Sequence, residues 1–371
     1  MAKKKTHAPR PARSVKPLPV LATSKQPKPR RLSSFIVTGG CGFVGANLVA
    51  ELVRREPGAH LVVIDDLRSG SYANIVEAFE RRGMYPFVGD VFGRSIEDVD
   101  FEKIITDTKP TAVFHLGAIT DTTVADEAAM LRVNTETFGP MVLGCLRAGV
   151  PLVYASSAAT YGTPPHVAER KPFTLDAAGR PNNVYGFSKW LMESVHRRLG
   201  ADYERSTQKR AQIVGLRYFN VFGPGESRKG RMASMVYQLA KLMLEGRAPR
   251  IFKDGSHARD QVYVDDVVDC TIAAAGLGAR RDPVAGVYNV GSGVATSFNE
   301  IIVALRSALG LSHGELPTEY FEMPPAVRAF YQDYTCADIS ETERGLGWTP
   351  KHRPDAAISR YAELLRSGRC R

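Results

Sequence analysis

The sequence predicts a doubly wound α/β fold: a parallel sheet wrapped by helices on both faces, with a smaller C-terminal lobe. Three observations carry this. Short apolar runs alternate with helical stretches over residues 35–219, the pattern of a parallel sheet built from crossover units. A glycine-rich turn joins the first apolar run to the first helical stretch. From about Asn220 the alternation breaks down and Gly, Pro and charged residues become frequent.

The elements follow in order. Phe35-Ile-Val37 is a short strand, and a helical pattern runs from Ala46 to Arg55. Further strands are predicted at Leu61–Ile64, Tyr85–Val88, Ala112–Phe114, Leu152–Ala155 and Gln212–Leu216, with helices around 126–148 and 184–200. Several of these strands are continuously apolar, as strands buried on both faces must be. In the C-terminal part, helical patterns occupy 231–246 and 297–309, and short strands fall near 250 and 318. Gln261–Val264 and Val287–Val290 are expected to rejoin the main sheet. The predicted division is therefore a tail over 1–34, a dinucleotide-binding domain over 35–219 to which 261–291 returns, and a lobe from 220–260 and 292–371. In an open α/β sheet ligands bind beyond the carboxyl ends of the strands, so the lobe should cover that edge.

The net charge of +10 belongs to the tail. Residues 1–34 hold six Lys and four Arg with no acidic residue, leaving 39 basic against 39 acidic side chains in the body. A nucleic-acid footprint for the folded body is thus excluded. The tail is rich in Pro and Lys and is expected to be disordered. It lacks the apolar core of a secretory signal. No apolar run approaches the ~20 residues needed to span a bilayer. Five scattered cysteines, none in a CxxC pair, point to a reducing compartment, the cytoplasm, and to neither a disulfide framework nor a zinc site.

Gly39, Gly42 and Gly45 form GxxGxxG between strand and helix. Such glycines allow a tight turn and a close approach of backbone to a pyrophosphate, which the helix N-terminus then binds. Asp65 ends the second strand, twenty residues beyond Gly45, where a carboxylate binds an adenosine ribose. Asp90-Val91 and Leu116-Gly117-Ala118 follow the next two strands. Together they read as a Rossmann-type nicotinamide dinucleotide site, with Phe43, Val44, Asp66 and Asn134 completing the expected contacts. Asp65 alone favours NAD; Arg68, three residues on, offers a cation to a 2′-phosphate. The sequence leans to NADP and leaves NAD open.

Tyr185 and Lys189 lie four residues apart, on one face of a helix. The ammonium, with an oxidised nicotinamide, is expected to lower the phenol pKa so that Tyr185 can take a hydroxyl proton as hydride leaves. Ser157, in the Ser-Ser-Ala-Ala-Thr-Tyr-Gly run after the 152–155 strand, would polarise the reacting oxygen. Glycine loop, ribose carboxylate, Ser/Thr segment and YxxxK in this order resemble the extended short-chain dehydrogenases/reductases, across residues 35 to about 350.

The runs YASSAATYG, NVYGFSK, RYFNVFGP, RKGRMASM, RDQVYVDDV, YNVGSG and YQDYTCAD narrow this resemblance to the ADP-L-glycero-D-manno-heptose 6-epimerases. The resemblance implies reversible oxidation at C6 of an ADP-heptose by a bound nicotinamide, turnover of the transient ketone, and return of hydride to its other face. It implies Lys229 as a second catalytic base opposite Tyr185. It implies Val221 as a cofactor contact and Thr122, Ser157, Asn220, Arg231, Gln238, Phe252, Arg259 and Tyr331 as substrate contacts, with Arg259 gripping the diphosphate. A homo-oligomer is implied too. Arg228, Arg231 and Gln238 depart from the family's pattern, as do Asp121 and Asp126, which leaves the exact sugar and nucleotide open. A UDP-hexose 4-epimerase needs no Lys229 and stands as the alternative within the fold. A non-catalytic dinucleotide-binding subunit stands as the alternative outside enzymes, against which the intact Ser157, Tyr185 and Lys189 weigh.

Overall fold

In the computed structural model, seven parallel strands make the central sheet, in the order β10-β6-β5-β4-β1-β2-β3. The described residues are 32–121, 126–163, 169–278, 284–312, 314–328 and 331–370. Six of its strands come first in the chain: β1 (Ser34–Thr38), β2 (His60–Asp65), β3 (Asp90–Gly93), β4 (Ala112–His115), β5 (Leu152–Ser157) and β6 (Ile213–Tyr218); the seventh, β10, is Gly286–Val290. Between them run α1 (Phe43–Arg55), α2 (Tyr72–Arg81), α3 (Phe101–Thr108), α4 (Glu127–Leu131), α5 (Phe138–Ala148) and α6 (Val184–Thr207).

Period-two alternation sends successive strand residues to opposite layers. Phe35 and Val37 of β1, with Leu61 and Val63 of β2, pack on one side with Leu48 and Leu52 of α1 and Ile75 and Phe79 of α2. Ile36, Val62 and Ile64 pack on the other side with Ile105 of α3, Val142 of α5 and Met192 of α6. With both faces covered, the strands are apolar throughout, which is why they read so clearly in the sequence.

Beyond the sheet come β7 (Asn220–Phe222), α7 (Met235–Leu244), β8 (Arg250–Phe252), β9 (Ala258–Tyr263), α8 (Val264–Ala274), β10 (Gly286–Val290), β11 (Ala295–Ser297), α9 (Phe298–Leu309), β12 (Glu319–Phe321), α10 (Pro325–Arg328), α11 (Ser340–Leu346) and α12 (Pro354–Arg366). Helices α7, α9 and α12 bury Val236, Leu239, Ile301, Leu305, Ile358 and Tyr361 around a second core. Ser33–Arg371 form one compact unit.

Four expectations need correction. The third strand is Asp90–Gly93, not Tyr85–Val88. Tyr85 and Val88 are 80% and 74% exposed, so those apolar side chains bury nothing on the sheet, and β2 pairs from Val62↔Asp90 onward. Gln261–Tyr263 does not rejoin the main sheet: it lies in β9, between β7 and β11, while the free edge of β6 is taken by β10. The stretch 126–148 is broken by a wide turn at Arg132–Glu136. The helix expected from 231 starts at Met235, after a tight turn at Ser227–Met232. The tail expected over 1–34 lies, up to residue 31, outside the described residues, as does Thr122.

One buried ion pair ties the sheet to α6. Arg217 of β6 donates to both carboxylate oxygens of Glu193 on α6, at 2.9 and 2.7 Å, and both side chains are almost fully buried. Ser156 of β5 donates to the same carboxylate at 2.6 Å. Removing one partner strands the other's charge in a dry interior, at a cost of about 3–5 kcal/mol. Glu193→Gln is therefore expected to lower unfolding free energy by roughly that amount in urea denaturation. A double variant, Glu193→Leu with Arg217→Met, is expected to lose far less.

Candidate active site

The site grows from the two turns at the point where strand order reverses. Gly39 follows β1 and Gly117 follows β4, the two central neighbours. Gly39 has φ +68°, and a Cβ there would lie 2.6 Å from the Gly117 nitrogen. A Cβ on Gly45 would lie 2.0 Å from the Gly39 carbonyl oxygen. Only glycine permits this pair of approaches. Beneath them the Thr38 hydroxyl accepts from Gly117 N at 3.1 Å and meets His115 Nδ1 at 2.7 Å. Burial holds His115 down to about 3, so it is neutral.

Helix α1 starts at Phe43 with Gly42 as its N-cap, no capping side chain and no acidic residue in its first turn. Its leading N–H groups therefore meet an anion rather than an internal cap. At the end of β2, Asp65 accepts from Cys41 N and Leu67 N, both at 2.9 Å. The remaining lone pairs of its carboxylate are left for hydroxyl donors. Glycine cradle, uncapped helix and carboxylate together fit a dinucleotide. Arg68 is not free for a 2′-phosphate, because it pairs with Asp66 at 3.0 Å.

A cleft of about 1070 Å³ opens over these turns. Gly39, Gly42, Phe43, Val44, Gly45, Asp65, Asp66, Arg68, Leu116, Gly117, Ala118, Ser157, Tyr185, Lys189 and Val221 line it on the sheet side. Asn220, Lys229, Arg231, Gln238, Phe252, Arg259 and Tyr331 line it from the lobe. Three expected cofactor contacts are absent from this lining. Asp90 opens β3 at the far end from the cleft and binds His60 at 2.9 Å; Val91 follows it within the strand. Asn134 is buried behind the 117–121 loop, where it accepts from Ile119 N at 2.8 Å and donates to Ile119 O at 3.0 Å. It supports the loop rather than facing the ligand.

Helix α6 carries Tyr185 and Lys189, capped by Asn183, whose side chain accepts from Gly186 N at 2.8 Å. Lys189 donates to Ala155 O at 2.8 Å. Burial pushes its ammonium down to about 8. Burial raises the Tyr185 phenol, against which a hydrogen bond with Ser157 acts to lower it. The Lys189 Nζ stands 5.9 Å from the centre of the Tyr185 ring.

On the lobe side Lys229 is half-buried, its Nζ 5.5 Å from the centre of the Phe43 ring. Burial lowers its pKa, and Glu226 opposes that. No carboxylate lies within ion-pair distance of it among the described residues. Arg228 turns back to α2, meeting Glu77 at 2.6 Å and Asn74 at 2.7 Å. Arg231 reaches Asp121 at 2.8 Å. Gln238 donates to Ala233 O at 2.7 Å and to Arg231 O at 3.2 Å. These departures from the family's pattern therefore brace the turn that carries Lys229.

Arg259 is buried, with its guanidinium 4.9 Å from the Tyr331 ring centre, and burial lowers its pKa. It makes no salt bridge with a described carboxylate, so a ligand anion suits it better than a domain-closing pair. Beside it Phe252 meets Tyr331 edge-on at 5.4 Å and Phe321 at 4.9 Å. Sequence reasoning missed Phe321, and also Arg250 and Gln261, which line the same cleft. The pairing of β8 with β12, which brings Phe321 to Phe252, was foreshadowed only by two short strand-like runs.

Comparison with known proteins agrees with this geometry. ADP-L-glycero-D-manno-heptose-6-epimerase of Alkalilimnicola ehrlichii is 37% identical over 318 residues, covering 83% of this chain and 89% of its own. The crystal structure of the Helicobacter pylori ADP-L-glycero-D-manno-heptose-6-epimerase matches with a TM-score of 0.76 at 30% identity, over 90% of this chain and 96% of that one. MoeE5, solved with UDP-glucose and NAD, matches with a TM-score of 0.70 at 25% identity, over 91% and 99%. Residues 35–291 match the family model described as the NAD dependent epimerase/dehydratase family. The chain belongs to that family.

Proposed function

We propose that this enzyme interconverts ADP-D-glycero-D-manno-heptose and ADP-L-glycero-D-manno-heptose by transient oxidation at C6. The observation that carries the reading is Lys229, lodged in the cleft with no ion pair within 4 Å among the described residues, on the lobe side of a site whose sheet side holds Tyr185, Ser157 and Lys189. Inverting a carbon through a ketone that turns over needs a proton-handling group on each side, and this cleft offers two. The printed names of the A. ehrlichii and H. pylori relatives support the same substrate.

The bound nicotinamide supplies the hydride acceptor and donor; the residues of this chain handle the proton and hold the substrate. Tyr185, hydrogen-bonded by Ser157, exchanges a proton with the C6 oxygen in one orientation. Lys229 does so in the other. Arg259 holds a diphosphate oxygen, and Phe252, Phe321 and Tyr331 offer apolar surface to the nucleotide. For the cofactor we favour NAD over the NADP towards which the sequence leans, because Asp66 neutralises Arg68 and adds a second carboxylate at the ribose end. The need for a nicotinamide and a nucleotide sugar, with five free cysteines, supports the cytoplasm as the location in this reading. No helix among the described residues is long and apolar enough to cross a membrane. We carry forward the homo-oligomer as part of the proposal, with sedimentation velocity as its check.

Incubation with ADP-D-glycero-D-manno-heptose, with product stereochemistry followed by proton NMR, is expected to yield both C6 epimers without added reductant. Interconversion of UDP-glucose and UDP-galactose instead would move the enzyme to the 4-epimerases. Tyr185→Phe and Lys229→Ala are each expected to reduce epimerisation by roughly 10²–10⁴-fold while leaving cofactor affinity nearly unchanged. Full activity in Lys229→Ala would remove it from the mechanism. Titration with both dinucleotides is expected to show tighter binding of NAD than of NADP, and Asp66→Asn to narrow that gap by freeing Arg68. Equal or tighter NADP binding by the unaltered protein would reverse the cofactor assignment.

A further inference from the structure

We propose that Glu226 is a positioning residue for Lys229, fixing the turn that carries it and supplying the one negative charge that faces its ammonium. The inference rests on the reading of Lys229 as a proton-handling group. Glu226 is completely buried, and every polar contact it makes organises the segment from 223 to 234. It accepts from Gly223 N at 3.0 Å, from Ser234 N at 2.6 Å and from the Ser234 hydroxyl at 3.0 Å. Its own carbonyl accepts from Lys229 N at 2.9 Å. Burial raises the Glu226 pKa, and the three donors aimed at its carboxyl, with the Lys229 charge, act against that and favour the carboxylate.

A buried carboxylate is expensive to keep unless its charge has a use. Ser234 does not require one: its hydroxyl already caps α7 by accepting from Tyr237 N at 3.1 Å. The cationic group that faces Glu226 is Lys229, and Glu226 is the charged group that acts on Lys229. From neighbouring elements only neutral or weakly acidic groups face the carboxylate: Tyr361 of α12, Tyr237 of α7 and Cys370. On its other side Lys229 meets the Phe43 ring of α1. Burial drives the ammonium towards its neutral form, and Glu226 limits that drift. Position and protonation of Lys229 are thus set by the same side chain, which does not line the cleft.

The test is the pH profile of kcat for ADP-heptose epimerisation in the full-length enzyme, with Glu226→Gln and Glu226→Asp beside the unaltered protein. Glu226→Gln is expected to lower kcat on the order of a hundredfold, as for a displaced catalytic group, with little change in KM. Its Lys229-dependent limb is expected to move to lower pH, because the charge that raised the pKa is gone. Glu226→Asp keeps the charge and is expected to keep the position of that limb while losing kcat through misplacement. A Glu226→Gln profile like that of the unaltered enzyme would overturn the proposal, as would a change in KM alone. If Glu226→Gln fails to fold, Glu226→Asp decides: a moved limb or an undiminished kcat overturns it. Failure of the function reading itself registers separately, as absent ADP-heptose epimerisation in the unaltered enzyme or full activity of Lys229→Ala.

Discussion

The buried pair of Arg217 and Glu193 is the constraint on which the catalytic side of this molecule depends. Arg217 extends from β6 to Glu193 on α6 and also donates to the Tyr161 hydroxyl at 2.9 Å. Tyr161 donates to Asn289 of β10 at 2.7 Å, and Asn289 donates to the carbonyls of Phe173 and Asp338 at 2.8 and 3.1 Å. Ser156, the neighbour of Ser157, closes on Glu193 from β5. Glu193 lies one turn beyond Lys189. A single carboxylate thus fixes the strand end that presents Ser157 against the helix that presents Tyr185. Polar groups in such a network are satisfied together or not at all, so the spacing of the reacting groups is rigid rather than adaptable.

The lobe side is built on another logic. The turn at 227–232 packs few apolar side chains, and its geometry comes from polar ties to three places. Glu226 anchors it to the start of α7, Arg228 to α2, and Arg231 to the loop after β4. The last two cross from the lobe to the elements that cradle the dinucleotide, so the turn straps the cleft at both ends. Arg228 and Arg231 are partly exposed, and ion pairs of that kind hold weakly. Glu226 is the strong tie.

Much of this was legible in the sequence because parallel strands buried on both faces announce themselves as apolar runs. The glycine turn, Asp65, Ser157 and the Tyr185–Lys189 pair all line one cleft. The errors share one origin. Tyr85 and Val88 are apolar yet exposed, and Gln261–Tyr263 is strand but belongs to another sheet, because apolarity predicts extended chain without saying which edge is free to receive it. Asn134 and Asp90 fall at motif positions that suit a ligand, whereas hydrogen bonds to Ile119 and to His60 hold their side chains. Arg68 was read as a free cation because its neighbour Asp66 was counted separately. Pairing between side chains is set by three-dimensional proximity, and spacing along the chain carries little of it.

The electrostatics of the sheet side follow from burial more than from the neighbouring cation. The same dry environment raises the Tyr185 phenol and lowers the Lys189 ammonium, because it disfavours charge of either sign. Lys189 uses one of its three N–H donors on Ala155 O and keeps its charge, 5.9 Å from the Tyr185 ring centre. Among the residues around Tyr185, the hydrogen bond from Ser157 is what favours its ionised form. Since Ser157 is placed by β5, whose neighbouring Ser156 is tied to Glu193, the proton affinity of Tyr185 is governed through the same buried pair that sets its position. In this protein the geometry of the acid–base group and its chemistry are therefore one problem, solved at Glu193 on the sheet side and at Glu226 on the lobe side.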